Sequence, residues 1–161
     1  MRPADSASRA RRTGLLTLRL DTETVIETTA ERIWAVLAEF PAYAQWNPCI
    51  PQAAGEARAG SRLEVEIHWP GLRRGPYVLQ VTRAEPGREL AWLGHLGRPG
   101  RMDGDHRFRI EPLGQGRCRL VQTETFHGWL VPLMAPWLRR NVLVGFERMN
   151  AALKARAEQT D

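Results

Sequence analysis

The chain has 161 residues, 43% of them hydrophobic and 25% charged, with a net charge of +5; these proportions fit one ordinary globular domain and exclude a fibrous or wholly disordered chain. Much of the basic excess sits at Arg2, Arg9, Arg11 and Arg12, so the remainder is close to balanced and nucleic acid is not an expected partner. The two cysteines, Cys49 and Cys118, form no CxxC pair and have no histidine at metal-ligand spacing, which excludes a zinc site and suits a reducing, cytoplasmic compartment.

Residues 1–14 hold no apolar core, so they read as a short disordered leader, neither a signal peptide nor an anchor. A single domain is expected over residues 15–158. No apolar run is long enough to span a bilayer, and stable membrane insertion is not expected. Residues 15–28 are rich in Leu, Val, Ile and Thr, with Leu16, Leu18 and Leu20 alternating, which predicts a strand. Thr29 is placed as the N-cap of a helix over residues 30–39, whose face carries Ile33, Trp34, Leu37 and Phe40. Pro41 closes that helix and residues 41–46 make a second short one, before Asn47, Pro48 and Pro51 force an irregular exit.

Strand signals follow. Leu63, Val65 and Ile67 alternate with polar residues up to a turn at Trp69-Pro70-Gly71, and residues 77–84 and 89–94 flank a hairpin turn at 85–88. A Gly- and Arg-rich loop spans residues 95–105. His106, Phe108 and Ile110 then alternate, a turn covers 112–116, and Cys118, Leu120, Gln122, Glu124 and Phe126 share one face of the last strand. Residues 132–157 form one long helix with Leu138, Val142, Phe146, Met149 and Leu153 on a single stripe. Pro132 and Pro136 both suit a first turn, and a kink between them is compatible with the pattern. Gly145 interrupts the stripe, which calls either for a close approach or for open space there.

The order is strand, two short helices, about six antiparallel strands and a long helix. That makes an α+β fold in which a curved antiparallel sheet of about seven strands wraps the C-terminal helix. Several local signatures accompany it: residues 29–34 (TAERIW), 40–48 (FPAYAQWNP), 90–92 (LAW), 106–108 (HRF), 124–128 (ETFHG) and 150–154 (NAALK). Together they resemble the START-like (SRPBCC) superfamily with the helix-grip fold, and within it the polyketide cyclase/dehydrase-like group. The resemblance covers residues 16–158 and is specific for fold more than for activity.

The resemblance implies a cavity between sheet and helix that accepts a lipophilic molecule. The chain's six tryptophans suit a pocket for ring systems, and by resemblance Trp46, Trp92, Trp129 and Trp137 fall near that cavity or its mouth. Phe108, Phe126, Met134, Leu138, Val142, Gly145 and Phe146 complete the candidate ligand-binding set. Two residues are candidates for catalysis. Glu124 shares an inward face, so its carboxyl must be paired with an arginine such as Arg101 or Arg107, be wet at a rim, or be protonated with a raised pKa. His106, on the face of Phe108, is the histidine best placed for proton transfer.

Three functions follow. The first is binding of a small lipophilic or aromatic, lipid- or polyketide-like molecule without turnover. The second is a polyketide cyclase, aromatase or dehydratase that uses Glu124, His106 or a tyrosine for proton transfer. The third is a protein-partner module like the chaperone-activator relatives. No cofactor or metal is expected, and the protein is expected to be a monomer or homodimer.

Overall fold

A computed structural model describes residues 6–69 and 75–159. Eight strands form one sheet in the order β1-β2-β8-β7-β6-β5-β4-β3, and every neighbouring pair is antiparallel. They are β1 (Ser6–Gly14), β2 (Thr17–Ile26), β3 (Gln52–Gly55), β4 (Arg62–Ile67), β5 (Gly75–Glu85), β6 (Glu89–His95), β7 (Asp103–Gly114) and β8 (Arg117–His127). Between β2 and β3 lie α1 (Ala30–Ala38) and a single 3₁₀ stretch, Phe40–Gln45. The chain ends in α2 (Val131–Trp137), a π-turn (Leu138–Val142) and α3 (Leu143–Ala157), which run on as one helix. The helix-grip architecture is therefore present, with one strand more than the expected seven.

The expected disordered leader gives way to a strand where it is described. Residues 6–14 are not disordered: they pair with β2 from Ser6 opposite Thr24 to Gly14 opposite Thr17. Their Arg, Ser and Ala side chains lack an apolar face, so the backbone ladder and the pairing of Arg11 with Asp21 at 3.4 Å hold them as an edge strand. Residues 1–5 of that expected leader lie outside the described residues. The four-residue edge strand β3 was also absent from the expectation, since Gln52-Ala53-Ala54-Gly55 carries no strand-forming side chain. The expected turn at 112–116 narrows to Gln115-Gly116. Pro112 is carried inside β7 by a register shift between residues 112 and 114. Of the expected turn at Trp69-Pro70-Gly71, residues 70 and 71 fall outside the described residues.

Local capping follows the sequence: the Thr29 side chain accepts from the Arg32 amide at 3.3 Å. In the long helix Pro132 occupies the first turn, whereas Pro136 lies inside α2. Its ring removes an amide from the helix ladder, and the wider π-turn follows one residue after α2's end, with Asn141 Nδ2 donating to the Trp137 carbonyl at 3.0 Å.

Two apolar clusters fill the space between sheet and helix. One joins Ile33, Leu37 and Phe40 to Met149 and Leu153 of α3 and to the middle strands. The other joins Leu18, Leu20 and Phe126 to Val131, Leu138, Val142 and Phe146. Trp69 packs against both. Where the clusters meet, beside the π-turn, the packing opens.

Candidate functional site

The opening is a cavity of about 110 Å³ between the concave face of the sheet and the helix. Two glycines on its wall let side chains close in over the sheet, Leu79 over Gly94, where an added Cβ would meet Leu79 Cδ2 at 2.5 Å, and Glu124 over Gly104. Gly94 on β6 and Gly104 on β7 stand opposite each other, so the sheet is bare at that point. The Glu124 carboxyl lies over the gap: a Cβ built on Gly104 would stand 2.6 Å from Glu124 Oε1. Glycine inside a strand marks this kind of close approach.

Glu124 projects from β8 with its side chain 14% exposed, and its nearest charged-group neighbour is His106 Nδ1 at 3.9 Å. Neither expected arginine partners it. Arg107 is engaged by Asp105 at 3.0 Å and Glu89 at 3.1 Å, and the Arg101 guanidinium lies 6.0 Å from the centre of the Trp129 ring. Among the described residues no hydrogen bond holds the carboxyl. Burial, with the Asp105 charge adding to it, pushes the Glu124 pKa up to about 8.

His106 is buried at 4% exposure. Its ring stacks on Phe108 at 4.7 Å and touches Phe146 at 4.9 Å and Trp92 at 5.1 Å. Burial pushes its pKa down to about 3. Both groups are thus neutral over a wide span around neutrality, and their contact is that of an acid with an imidazole rather than an ion pair. The Gln122 amide nitrogen stands 2.9 Å from His106 Nε2. As assigned, the amide donates, which leaves the ring proton on Nδ1, toward Glu124. Rotating the amide exchanges the roles and makes Nδ1 the acceptor for the Glu124 hydroxyl.

Of the candidate residues, the structure brings Glu124, His106, Trp92, Phe126, Trp137, Leu138 and Val142 onto the cavity wall. The others stand off it. Trp46 packs edge-on against Tyr43 at 4.9 Å, and Phe108 is fully buried behind Trp92. Phe146 lies behind Trp69 and His106, and Met134 joins the second core cluster. Trp129 is 62% exposed on the outside of the molecule.

Gly145 settles the choice the sequence left open. A Cβ there would fall 1.8 Å from Cζ3 of Trp69, so its role is close approach, and the indole occupies the space. Gly145→Leu is therefore expected to destabilise the fold by about 1–3 kcal/mol through overpacking. It should also weaken ligand binding, because Trp69 is itself part of the wall. Thermal unfolding with a titration checks this, and an unchanged melting temperature would contradict the placement of Trp69.

Ile50, Ile67, Trp69, Tyr77 and Leu79 also line the cavity and were not singled out in the sequence. The inward alternation of β4 pointed to Ile67, but nothing local said that these side chains end at a space rather than in the core. His95 also reaches the wall, and its Nδ1 is bonded to Asp103 at 2.6 Å. His127 instead meets Thr17 Oγ1 at 3.1 Å. No cluster of three or more His, Cys, Asp or Glu side chains that could hold a metal occurs among the described residues. Cys49 lies near the Gly145 carbonyl, its Sγ 3.1 Å away, and burial pushes its thiol up to about 11, which makes it a poor nucleophile.

Solved structures share this architecture. The Zhui aromatase/cyclase from Streptomyces sp. R1128 superposes with a TM-score of 0.73 at 20% identity, covering 88% of this chain and 94% of that one. A START superfamily protein from Mycobacterium smegmatis gives 0.72 at 24% identity, covering 88% and 97%. Truncated norcoclaurine synthase from Thalictrum flavum gives 0.68 at 14% identity, covering 94% and 99%. At such identities the likeness is one of fold. A comparison with curated protein sequences found no match. The family model described as polyketide cyclase / dehydrase and lipid transport matches residues 17–158, a span that holds all the cavity-lining residues, and the chain therefore belongs to this family.

Proposed function

We propose that the protein binds a small lipophilic or aromatic molecule in the cavity between sheet and helix, with Glu124 meeting an oxygen of that molecule. The observation that carries this reading is the Glu124 carboxyl, which faces an apolar space without a hydrogen-bond partner among the described residues. A buried polar group left unpaired costs free energy, and a ligand oxygen would relieve it. The size supports one ring: about 110 Å³ compares with apolar cavities of roughly 150 Å³ that take up benzene. A longer lipid- or polyketide-like chain would need Trp69 or Phe146 to move.

Because Glu124 is protonated near neutrality, it donates, and a neutral ketone or aldehyde suits it better than a carboxylate. Titration with acetophenone and benzoate, read by tryptophan fluorescence, tests this. Acetophenone should bind at least tenfold more tightly, and Leu138→Trp, which fills the cavity, should abolish the signal. Equal affinity for benzoate, or binding that survives Leu138→Trp, would overturn the reading.

A second reading is favoured by the opposed pKa shifts of Glu124 and His106, a pattern that suits acid–base work. In a dehydration, the Glu124 hydroxyl protonates a departing hydroxyl, which leaves as water. The resulting carboxylate takes a proton from the neighbouring carbon as the double bond forms, so the acid is regenerated. His106 stays neutral and positions the carboxyl. On this reading Glu124→Gln retains affinity within about threefold but loses turnover of a β-hydroxy ketone by a factor of a hundred or more; turnover retained in both Glu124→Gln and His106→Ala would exclude it.

A further inference from the structure

Four of the most exposed large apolar side chains of the described residues gather at one end of the molecule: Leu15 at 78%, Leu16 at 46%, Trp129 at 62% and Leu133 at 78%. They come from separate segments that backbone bonds tie together. The Gly128 amide donates to the Leu16 carbonyl at 3.1 Å, the Trp129 amide to Gly100 at 3.3 Å and the Leu130 amide to Arg101 at 3.1 Å. The tip of the β1–β2 hairpin, the loop before β7 and the start of α2 thus form one surface. Leu15, Pro132 and Pro136 share a groove there with Arg12 and Arg139.

The charge at this end is mostly positive, and the carboxylate of Asp103 beside it is taken up by the Gly100 amide at 2.9 Å and by His95 at 2.6 Å. Residues 6–20, 90–102 and 125–146 contain no Asp or Glu. They carry the exposed Arg12, Arg98, Arg101 and Arg139, none of which has a carboxylate partner among the described residues. Arg12 is held by the hairpin carbonyls of Gly14 at 3.3 Å and Leu15 at 3.0 Å, and Arg101 by the Trp129 ring. A protein partner would have to supply carboxylates to all four over an irregular rim. An anionic bilayer supplies phosphates at any spacing and an apolar layer beneath them, and Trp beside Arg is the composition that suits that boundary.

We propose that this end is a peripheral docking surface for an anionic lipid bilayer, with Leu15, Trp129 and Leu133 entering the headgroup region and the arginines on lipid phosphates. The surface is coupled to the cavity by sequence. The segments that present Arg101, Leu133 and Arg139 outward also place Met102, Trp137 and Leu138 on the cavity wall, so docking brings a lipophilic ligand's source next to its site. Such docking needs no spanning helix, and no helix among the described residues is long and apolar enough to cross a membrane.

The test is co-sedimentation of the full chain with vesicles of phosphatidylcholine alone and with about one third phosphatidylglycerol, at about 0.1 M salt. The native protein should sediment with the anionic vesicles and not with the neutral ones. Arg139→Gln should weaken binding about fivefold, and Trp129→Ala with Leu133→Ser at least tenfold, while the circular dichroism melt of each variant stays as in the native protein. No sedimentation with anionic vesicles, or sedimentation unchanged in the variants, would overturn the proposal. So would a native dimer that becomes monomeric in the Trp129→Ala, Leu133→Ser variant without ever binding vesicles, since a second copy would then be the occupant of this face.

Discussion

The Glu124→Gln variant is expected to be more stable than the native protein at pH 8 and equally stable at pH 4. The cause is the cost of ionising a carboxyl in the cavity. Below about pH 4.5 the group is protonated in the folded and unfolded chains alike, so it contributes no pH dependence. Between there and its folded pKa of about 8, the unfolded chain releases the proton while the folded chain keeps it. The folded state then binds more protons, and stability falls as pH rises, by about 1.4 kcal/mol for each pH unit. Glutamine has the same shape and never ionises. With the side chain 14% exposed, the difference should reach on the order of 3 kcal/mol near pH 8, or roughly 6–12 °C in melting temperature.

His106 acts with the opposite sign. Its folded pKa of about 3 lies below the unfolded value, so the stability that comes with its neutral form is lost as pH falls from about 6.5 toward 3. The native protein should therefore be most stable between about pH 4.5 and 6.5, where the two slopes offset each other, and Glu124→Gln should remove the decline above that range and leave stability rising with pH up to about 6.5. Melting curves from pH 4 to 9 on both proteins measure this. A variant no more stable than the native protein at pH 8 would mean that Glu124 is ionised in the fold.

Phe146→Ala is the second variant with a large expected effect. Phe146 is fully buried and its ring meets Trp69 at 5.6 Å and His106 at 4.9 Å. Removing it leaves a void that the neighbouring strands cannot close, at a cost of about 3–5 kcal/mol. Because both of its ring partners line the cavity, the void opens into it. The variant should bind a two-ring aromatic such as naphthalene, which the native protein excludes. A loss of stability without any gain in ligand size would mean that Trp69 collapses into the space instead.

What was legible in the sequence was what short-range periodicity reports. The stripe from Leu138 to Leu153 gave the long helix and its buried face, and the alternation in β8 put Glu124 on the inward side. The edge strand β1 was not legible, because a sequence of Arg, Ser and Ala pairs through its backbone and leaves no trace in side-chain pattern. Long-range fits were equally silent. Gly145 read as a gap or a close approach with equal force, and only the position of Trp69, seventy-six residues earlier in the chain, decided between them. The same holds for Gly104. Its meaning depends on Glu124, which comes from the neighbouring strand, and an isolated glycine in a strand pattern says only that something approaches.

The most direct test of the cavity as a ligand site is native mass spectrometry of the purified protein with acetophenone added, compared with Leu138→Trp under the same conditions. A one-to-one adduct is expected on the native protein at the mass of the intact ketone, lost on denaturation and missing from the variant. A native protein that takes up no ligand, or an adduct that persists when Leu138→Trp fills the space, would contradict it.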